Sequence, residues 1–371
     1  MSLRARLAMP CFVAASLFFT ACSGDGGNKP TDAGAPDASS KEPVVGGKLG
    51  AVIASAAAGS TAAPKAKSKD PNEPPENGIF AAGEADLRQA KTAPPKVDIL
   101  SEGADPKIDL TYKLTAAEQK VSVTVGMRMG QGARLPTVTF DLSIKPEKAK
   151  DDKPKEGTPA PPTRLAATVT AVGVPPEQPL PKELGEAIGK LKGTVVRWDL
   201  GSSGAASNYA VEAPKDAAAG LELILDALVD TLSTSTLVTP GKPIGKDGYW
   251  IVADRAKTAV GLDVVRFRVF KILGVENGNV TLSIDIRQYS ADPILKLDAG
   301  PGQKQEMPME MFESQGKGQI VWNADTFLPN SGEVKEGVGA KLAGGQGGRS
   351  AVVQTELTGQ IAPLSAPAKK P

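Results

Sequence analysis

Between about residues 105 and 362, apolar residues recur at every second position. Val121, Val123, Val125, Met127 and Met129 alternate with Ser122, Thr124, Gly126 and Arg128. Val138, Phe140, Leu142 and Ile144 form a second row, and Ile108, Leu110, Tyr112 and Leu114 a third. Leu165, Ala167, Val169 and Ala171 make a weaker fourth. Successive side chains of a strand point to opposite faces, so each row predicts a strand with one buried and one wet face, the habit of antiparallel sheets. A hairpin is predicted with Val265, Phe267 and Val269 on one face and Arg266 and Arg268 on the other. Its turn contains Asn277-Gly278, a strong hairpin signal, and its return strand puts Val280, Leu282, Ile284 and Ile286 inward. Further strands are predicted around Thr194–Leu200, Tyr249–Asp254, Gln319–Ala324 and Ala351–Thr358.

Two stretches change period. Asp216 to Ser233 carries Leu221, Ile224, Leu225, Leu228 and Leu232 on one stripe, the spacing of an amphipathic helix, with Asp216 placed to cap it. Pro181 to Leu191 repeats the pattern with Leu184, Ile188 and Leu191, and Pro suits a first helical turn. The fold expected is mainly β with one or two packed helices (α+β): a curved antiparallel sheet or partial barrel wrapping the long helix. The β-rich body spans 101–362. The strand blocks before and after the long helix suggest two related halves, about 101–213 and 214–362.

The front of the chain has another character. Arg4 and Arg6 precede an uncharged, mostly apolar run from Leu7 to Ala21, shorter than the roughly 20 residues of a spanning helix and of signal-peptide length. Ser23 to about Leu100 is rich in Gly, Ala, Pro, Ser and Lys. Such a composition buries too little to offset the entropy of ordering, so 22–100 is expected to be a tether, with an average span of about 50 Å. Residues 363–371 are expected to be a disordered tail.

Phe19-Thr20-Ala21-Cys22 resembles a lipobox, the site at which bacterial lipoproteins are acylated; Phe19 stands where Leu is usual. The resemblance implies a signal peptide over 1–21, cleavage before Cys22, lipid on that cysteine and, with Ser23 rather than Asp following, sorting to the outer membrane. Stable anchoring takes more than one acyl chain, which a mature lipoprotein cysteine carries. Cys11, the other of the two cysteines, leaves with the signal. The Asp-Ala-Gly-Ala-Pro-Asp-Ala style of the tether is similar to that of myxobacterial lipoproteins. In the order of its elements, the body resembles periplasmic lipoprotein carriers and the mycobacterial lipid-carrying lipoproteins. It also resembles β-rich lipoprotein domains of unknown role.

Composition narrows the chemistry. The chain has no histidine, which removes histidine-based triads and ordinary His-containing zinc sites. Its 43 basic and 42 acidic residues nearly balance, and no basic stripe with interleaved aromatics marks a nucleic-acid partner. Arg266, Arg268 and Arg287 are expected on the wet face of the hairpin, as a solvated row or an anion site. Ser314 and Lys317 have serine–lysine spacing but lack the companion motifs, and read as part of a glycine-bearing turn. Gly344 to Gly348 lacks a Walker ending and reads as a loop. Lys145 to Pro162 reads as an exposed loop. Asp109, Asp141, Asp285 and Asp325 fall in predicted strands and would have to pair to act as acid and base. Met307, Met309 and Met311 would share one strand face; thioethers suit Cu(I), while an apolar row toward Phe312 is the simpler reading.

No cofactor is implied. The expectation is an envelope lipoprotein with a non-catalytic binding or structural domain, meeting the membrane through Cys22 and an envelope protein or a lipid through its body. A carrier or sensor of an apolar ligand would have a cavity lined by Leu221, Ile224, Leu225 and Leu228. A carboxylate-based hydrolase would have two carboxylates converging in a cleft.

Overall fold

Sustained alternation becomes hydrogen-bonded strand almost wherever it occurs. The computed structural model describes residues 74–130, 133–147, 161–217, 220–300, 303–343 and 351–364, all within the second of two units of the chain, Asp70–Pro371. The leader, Cys22, residues 148–160, Gly344 to Gly348 and residues 365–371 lie outside them. The strands are β1 (Lys96–Ser101), β2 (Ala104–Ile108), β3 (Gln119–Met129), β4 (Ala133–Arg134), β5 (Val138–Pro146), β6 (Thr163–Gly173), β7 (Val195–Leu200) and β8 (Ala206–Glu212). Then come β9 (Ile244–Lys246), β10 (Tyr249–Lys257), β11 (Asp263–Glu276), β12 (Asn279–Ser290), β13 (Ile294–Gly300), β14 (Gln303–Asn323), β15 (Ser331–Leu342) and β16 (Ala351–Pro363). The helices are α1 (Glu84–Arg88), α2 (Lys182–Gly189) and α3 (Glu222–Ser235).

A 14-stranded antiparallel sheet runs in the order β1-β10-β11-β12-β14-β15-β16-β3-β5-β6-β7-β8, with β13 beside β14 and β4 beside β3. It does not close into a barrel, and β1 and β8 are its ends. β16 joins the two strand blocks by pairing with β3, Ile361 opposite Val123. One face carries the main core: Val123, Phe140, Leu142, Trp198, Trp250, Ile284 and Trp322 are all buried. Helix α3 packs on this face against β3, β15 and β16. Its predicted stripe, Leu221, Ile224, Leu225, Leu228 and Leu232, is buried in that core.

Several boundaries differ from the expected ones. Helix α3 begins at Glu222, not Asp216, because the chain turns at Gly220, whose N–H donates to Glu222 Oε2 at 2.7 Å. Leu110 and Tyr112 are buried as their alternation requires, yet residues 109–118 form no strand. That segment uses its amides singly, as where Lys113 N–H donates to the Ala324 carbonyl. Ala171 is exposed because β6 slips against β5 between Asp141 and Leu142, and Val172 packs against the core instead. Bulges change which side chain points inward.

The largest difference concerns the expected tether. Residues 77–101 belong to the folded body: β1 pairs with β10, Phe80 N–H donates to the Ser290 carbonyl at 2.9 Å, and Phe312 N–H to that of Asn77 at 2.8 Å. Phe80 and Ala85 are buried with Val265 and Ala291 in a separate small core, which Phe267 and Tyr289 flank. The part of this segment around Phe80 and Ala85 therefore covers the Val265 row of β11, on the face opposite α3. Arg255 fastens it there, gripping Asp263 with two hydrogen bonds (2.8 and 3.0 Å) and reaching Asp86 at 2.9 Å and the Gln89 carbonyl at 3.0 Å.

Candidate functional site

Both alternating rows of β11 carry apolar residues, but only one faces α3. That row is Val264, Arg266, Arg268, Phe270 and Ile272, all buried, so Arg266 and Arg268 are each only 2% exposed. The expected wet face of the hairpin is thus its inner face. The Val265 row is covered as well, by the segment around Phe80. Arg287 stands on the other face of β12 and donates to the Ser314 carbonyl at 3.2 Å, so the three arginines do not group.

Asp254 lies directly across the ladder from Arg266. Arg266 holds it with two hydrogen bonds, at 3.0 and 2.8 Å, and Arg268 reaches the same carboxylate at 2.8 Å. Arg266 also donates to the Thr234 hydroxyl at 2.8 Å. Arg268 Nη1 meets the carbonyls of Ser233, Thr234 and Thr236 at 3.1, 3.1 and 2.8 Å. The last carbonyls of a helix lack intrahelical donors, and its C-terminus favours a cation. Arg268 serves both needs of α3 where a glycine cap is absent, and its planar fork suits three acceptors at once.

One turn earlier on α3, Asp230 faces Glu336 of β15 across a small pocket that Met127, Thr258, Thr355 and Leu357 also line. Its volume is about 10 Å³, close to the space one water needs. Asp230 accepts from Ala259 N–H at 2.8 Å and, weakly, from the Thr234 hydroxyl at 3.4 Å. Glu336 Oε2 accepts from Gln288 Nε2 at 2.8 Å. Glu336 Oε1 and Gln288 Oε1 are buried with no hydrogen-bond partner among the described residues.

These environments separate the carboxylates. Burial raises Asp254, but the two guanidinium groups together outweigh it and hold its carboxyl below the usual aspartate value. Burial, followed by the neighbouring Glu336 carboxylate, pushes Asp230 up to about 8. Burial raises Glu336 too. The arrangement can hold a proton or a water; a larger substrate would have to displace packed side chains.

The residues singled out from sequence go elsewhere. Leu221, Ile224, Leu225 and Leu228 pack within the main core. Met309 and Phe312 are buried while Met311 is 39% exposed. A register slip between Met309 and Met311 separates them, so the three thioethers do not share one face. Ser314 and Lys317 lie within β14, not in a turn, and three residues apart they point to opposite faces. Asp109 accepts from Thr111, Asp141 from Ser122 and Asp325 from Thr115. Asp141 and Asp285 stand on β5 and β12, five strand steps apart, about 24 Å along the sheet. Asp230, Asp254 and Glu336 were missed. Asp254 and Glu336 each lie within a run of strand residues, and Asp230 lies inside an otherwise apolar helical stretch.

No protein-family model matches the chain, and no curated protein is significantly similar to it.

Proposed function

We propose that the chain is an envelope lipoprotein, anchored to the outer membrane by acyl chains on Cys22, whose body is a non-catalytic binding or structural module. The observation that carries the reading is the run Phe19-Thr20-Ala21-Cys22 behind a basic and apolar leader. Lipid on the thiol gives a stable anchor once two or more chains are attached. The packing of α3 against the sheet supports a protein partner over a carried lipid. The side chains expected to line an apolar cavity fill the space themselves.

Metabolic labelling with an alkyne-bearing palmitate, followed by membrane fractionation, tests the anchor. Label is expected on the wild type and lost in Cys22→Ala, with the unlabelled chain leaving the outer-membrane fraction. A Cys22→Ala chain that keeps both its label and its fractionation sinks the reading. Native mass spectrometry of the purified protein separates the two kinds of partner: a bare polypeptide mass favours a protein partner, and an extractable lipid mass a carrier.

A further inference from the structure

The buried cluster beneath the sheet does not balance its charges as it stands. Two guanidinium groups, Arg266 and Arg268, face three carboxylates, Asp254, Asp230 and Glu336, and all five side chains are buried. An unneutralised charge in such a place is costly and is normally removed by a shift in protonation. Asp254 already holds both arginines, so the surplus falls on Asp230 and Glu336. A second observation agrees. Glu336 is only 6% exposed and lines the pocket, yet its Oε1, like Gln288 Oε1, accepts no hydrogen bond among the described residues. Two buried acceptors without a donor indicate a missing hydrogen.

We propose that the Asp230–Glu336 pair is a buried one-proton site that fastens helix α3 to the sheet and the loop after β10, and that weakens this attachment when it loses the proton. A single proton brings the five-residue cluster to neutrality and supplies the missing donor. The charged groups acting on Asp230 are Glu336 on β15 and Arg266 on β11; Arg266 and its neighbour Arg268 share Asp254 of β10 and face Tyr209 of β8, and Asp226 lies one turn back on the helix of Asp230. Tyr209 is pushed up to about 12 by burial and stays neutral throughout. The arginines stay charged, and Asp254 stays ionised between them. The proton is therefore taken up or released at the pair.

The direction follows from linkage. Asp230 sits at its ordinary value near 3.8 when unfolded and is raised to about 8 in the fold. The native state then binds more protons between those values, and stability falls as pH rises from about 4 to about 8.

The test is equilibrium unfolding of the full chain from pH 5 to 9, paired with infrared spectra of the carboxyl region, for wild type, Asp230→Asn and Glu336→Gln. Over pH 5–8 the wild-type unfolding constant, relative to Asp230→Asn, is expected to rise by up to tenfold per pH unit. The wild type should show a protonated-carboxyl band at pH 6 that fades by pH 9 and is lost in each variant, because either one leaves two carboxylates for two guanidinium groups. Should a variant fail to fold, the wild-type band and the remaining variant still decide. A wild type with no protonated carboxyl at pH 6, or a band that either variant retains, overturns the proposal.

Discussion

Arg268 joins three jobs in one side chain: it pairs with Asp254, caps α3 and lies 5.4 Å from the centre of the Phe270 ring. Removing one partner of a buried, hydrogen-bonded charge pair costs about 3–5 kcal/mol, because the other charge is left uncompensated. Arg268→Ala is expected to lose that much in urea denaturation. Arg268→Lys should recover only part of it, since an ammonium cannot span the carboxylate and three carbonyls as a planar fork does. Asp254 adds a dependence opposite to that of Asp230. Its value is lowered in the fold, so its contribution is present above its ordinary 3.8 and is lost as pH falls below that toward the folded value. Asp254→Asn should therefore remove part of the acid sensitivity of the wild type below about pH 4, measured by equilibrium unfolding carried on into that acid range. The inward direction of the arginine row is not legible in the alternation of β11 alone. Val264, Phe270 and Ile272 flank Arg266 and Arg268 on the same side, but the Val265 row runs on through Lys271 to Leu273 and Val275 and is no less apolar. The charge pattern argued for water because nothing in β11 itself announces Asp254 or the bare end of α3.

At the scale of elements, period and turn chemistry carried most of the information. The Asn277-Gly278 turn has φ of 50° and 78° at its two central residues, as a tight hairpin turn with both in the left-handed region demands. Helix α2 was read within two residues at either end. The start of α3 differs because Gly220, at φ 96°, turns the chain just before Glu222, a local event that the helical composition of Asp216 and Ala217 does not announce. Strand bulges were invisible, since a slip of one residue depends on the neighbouring strand. The contact between α3 and β16 gives a prediction at this scale. A Cβ on Gly359 would lie 2.3 Å from Thr231 Cγ2, so Gly359→Ala overpacks the seam and should cost about 1–3 kcal/mol. Thr231→Ala clears most of that space. In the double variant the penalty should shrink by more than the single variants predict, and a double-mutant cycle on unfolding free energies measures the coupling.

For the whole molecule, strand order could not be read from the rows, because it depends on which distant strands meet. β16 closes the body by pairing with β3, and β1 reaches back to β10, so the sheet is complete only when the end of the chain has found its middle. Non-local pairing of this kind makes folding slow. The segment misread as tether shows the same limit. Residues 77–101 are short, polar and interrupted by Pro and Gly, and few of their side chains are buried. Those few, Phe80 above all, cover a sheet face that would otherwise be open. Phe80 packs edge-on to Tyr289 at 6.1 Å, and Tyr289 to Phe267 at 5.7 Å. Phe80→Ala should cost about 3–5 kcal/mol. A chain beginning at Gly103 loses Phe80, β1 and the Asp86 contact of Arg255 together. It would bare Val265, Phe267 and Tyr289 and leave β10 as an unprotected edge. Exposed edges and apolar patches of this kind promote association. The shortened chain is therefore expected to melt lower than one beginning at Pro74 and to form larger species with rising concentration in sedimentation velocity. Equal melting and a monomer at all concentrations would mean that the segment rests on the sheet without contributing to it, and would restore the tether boundary near Leu100.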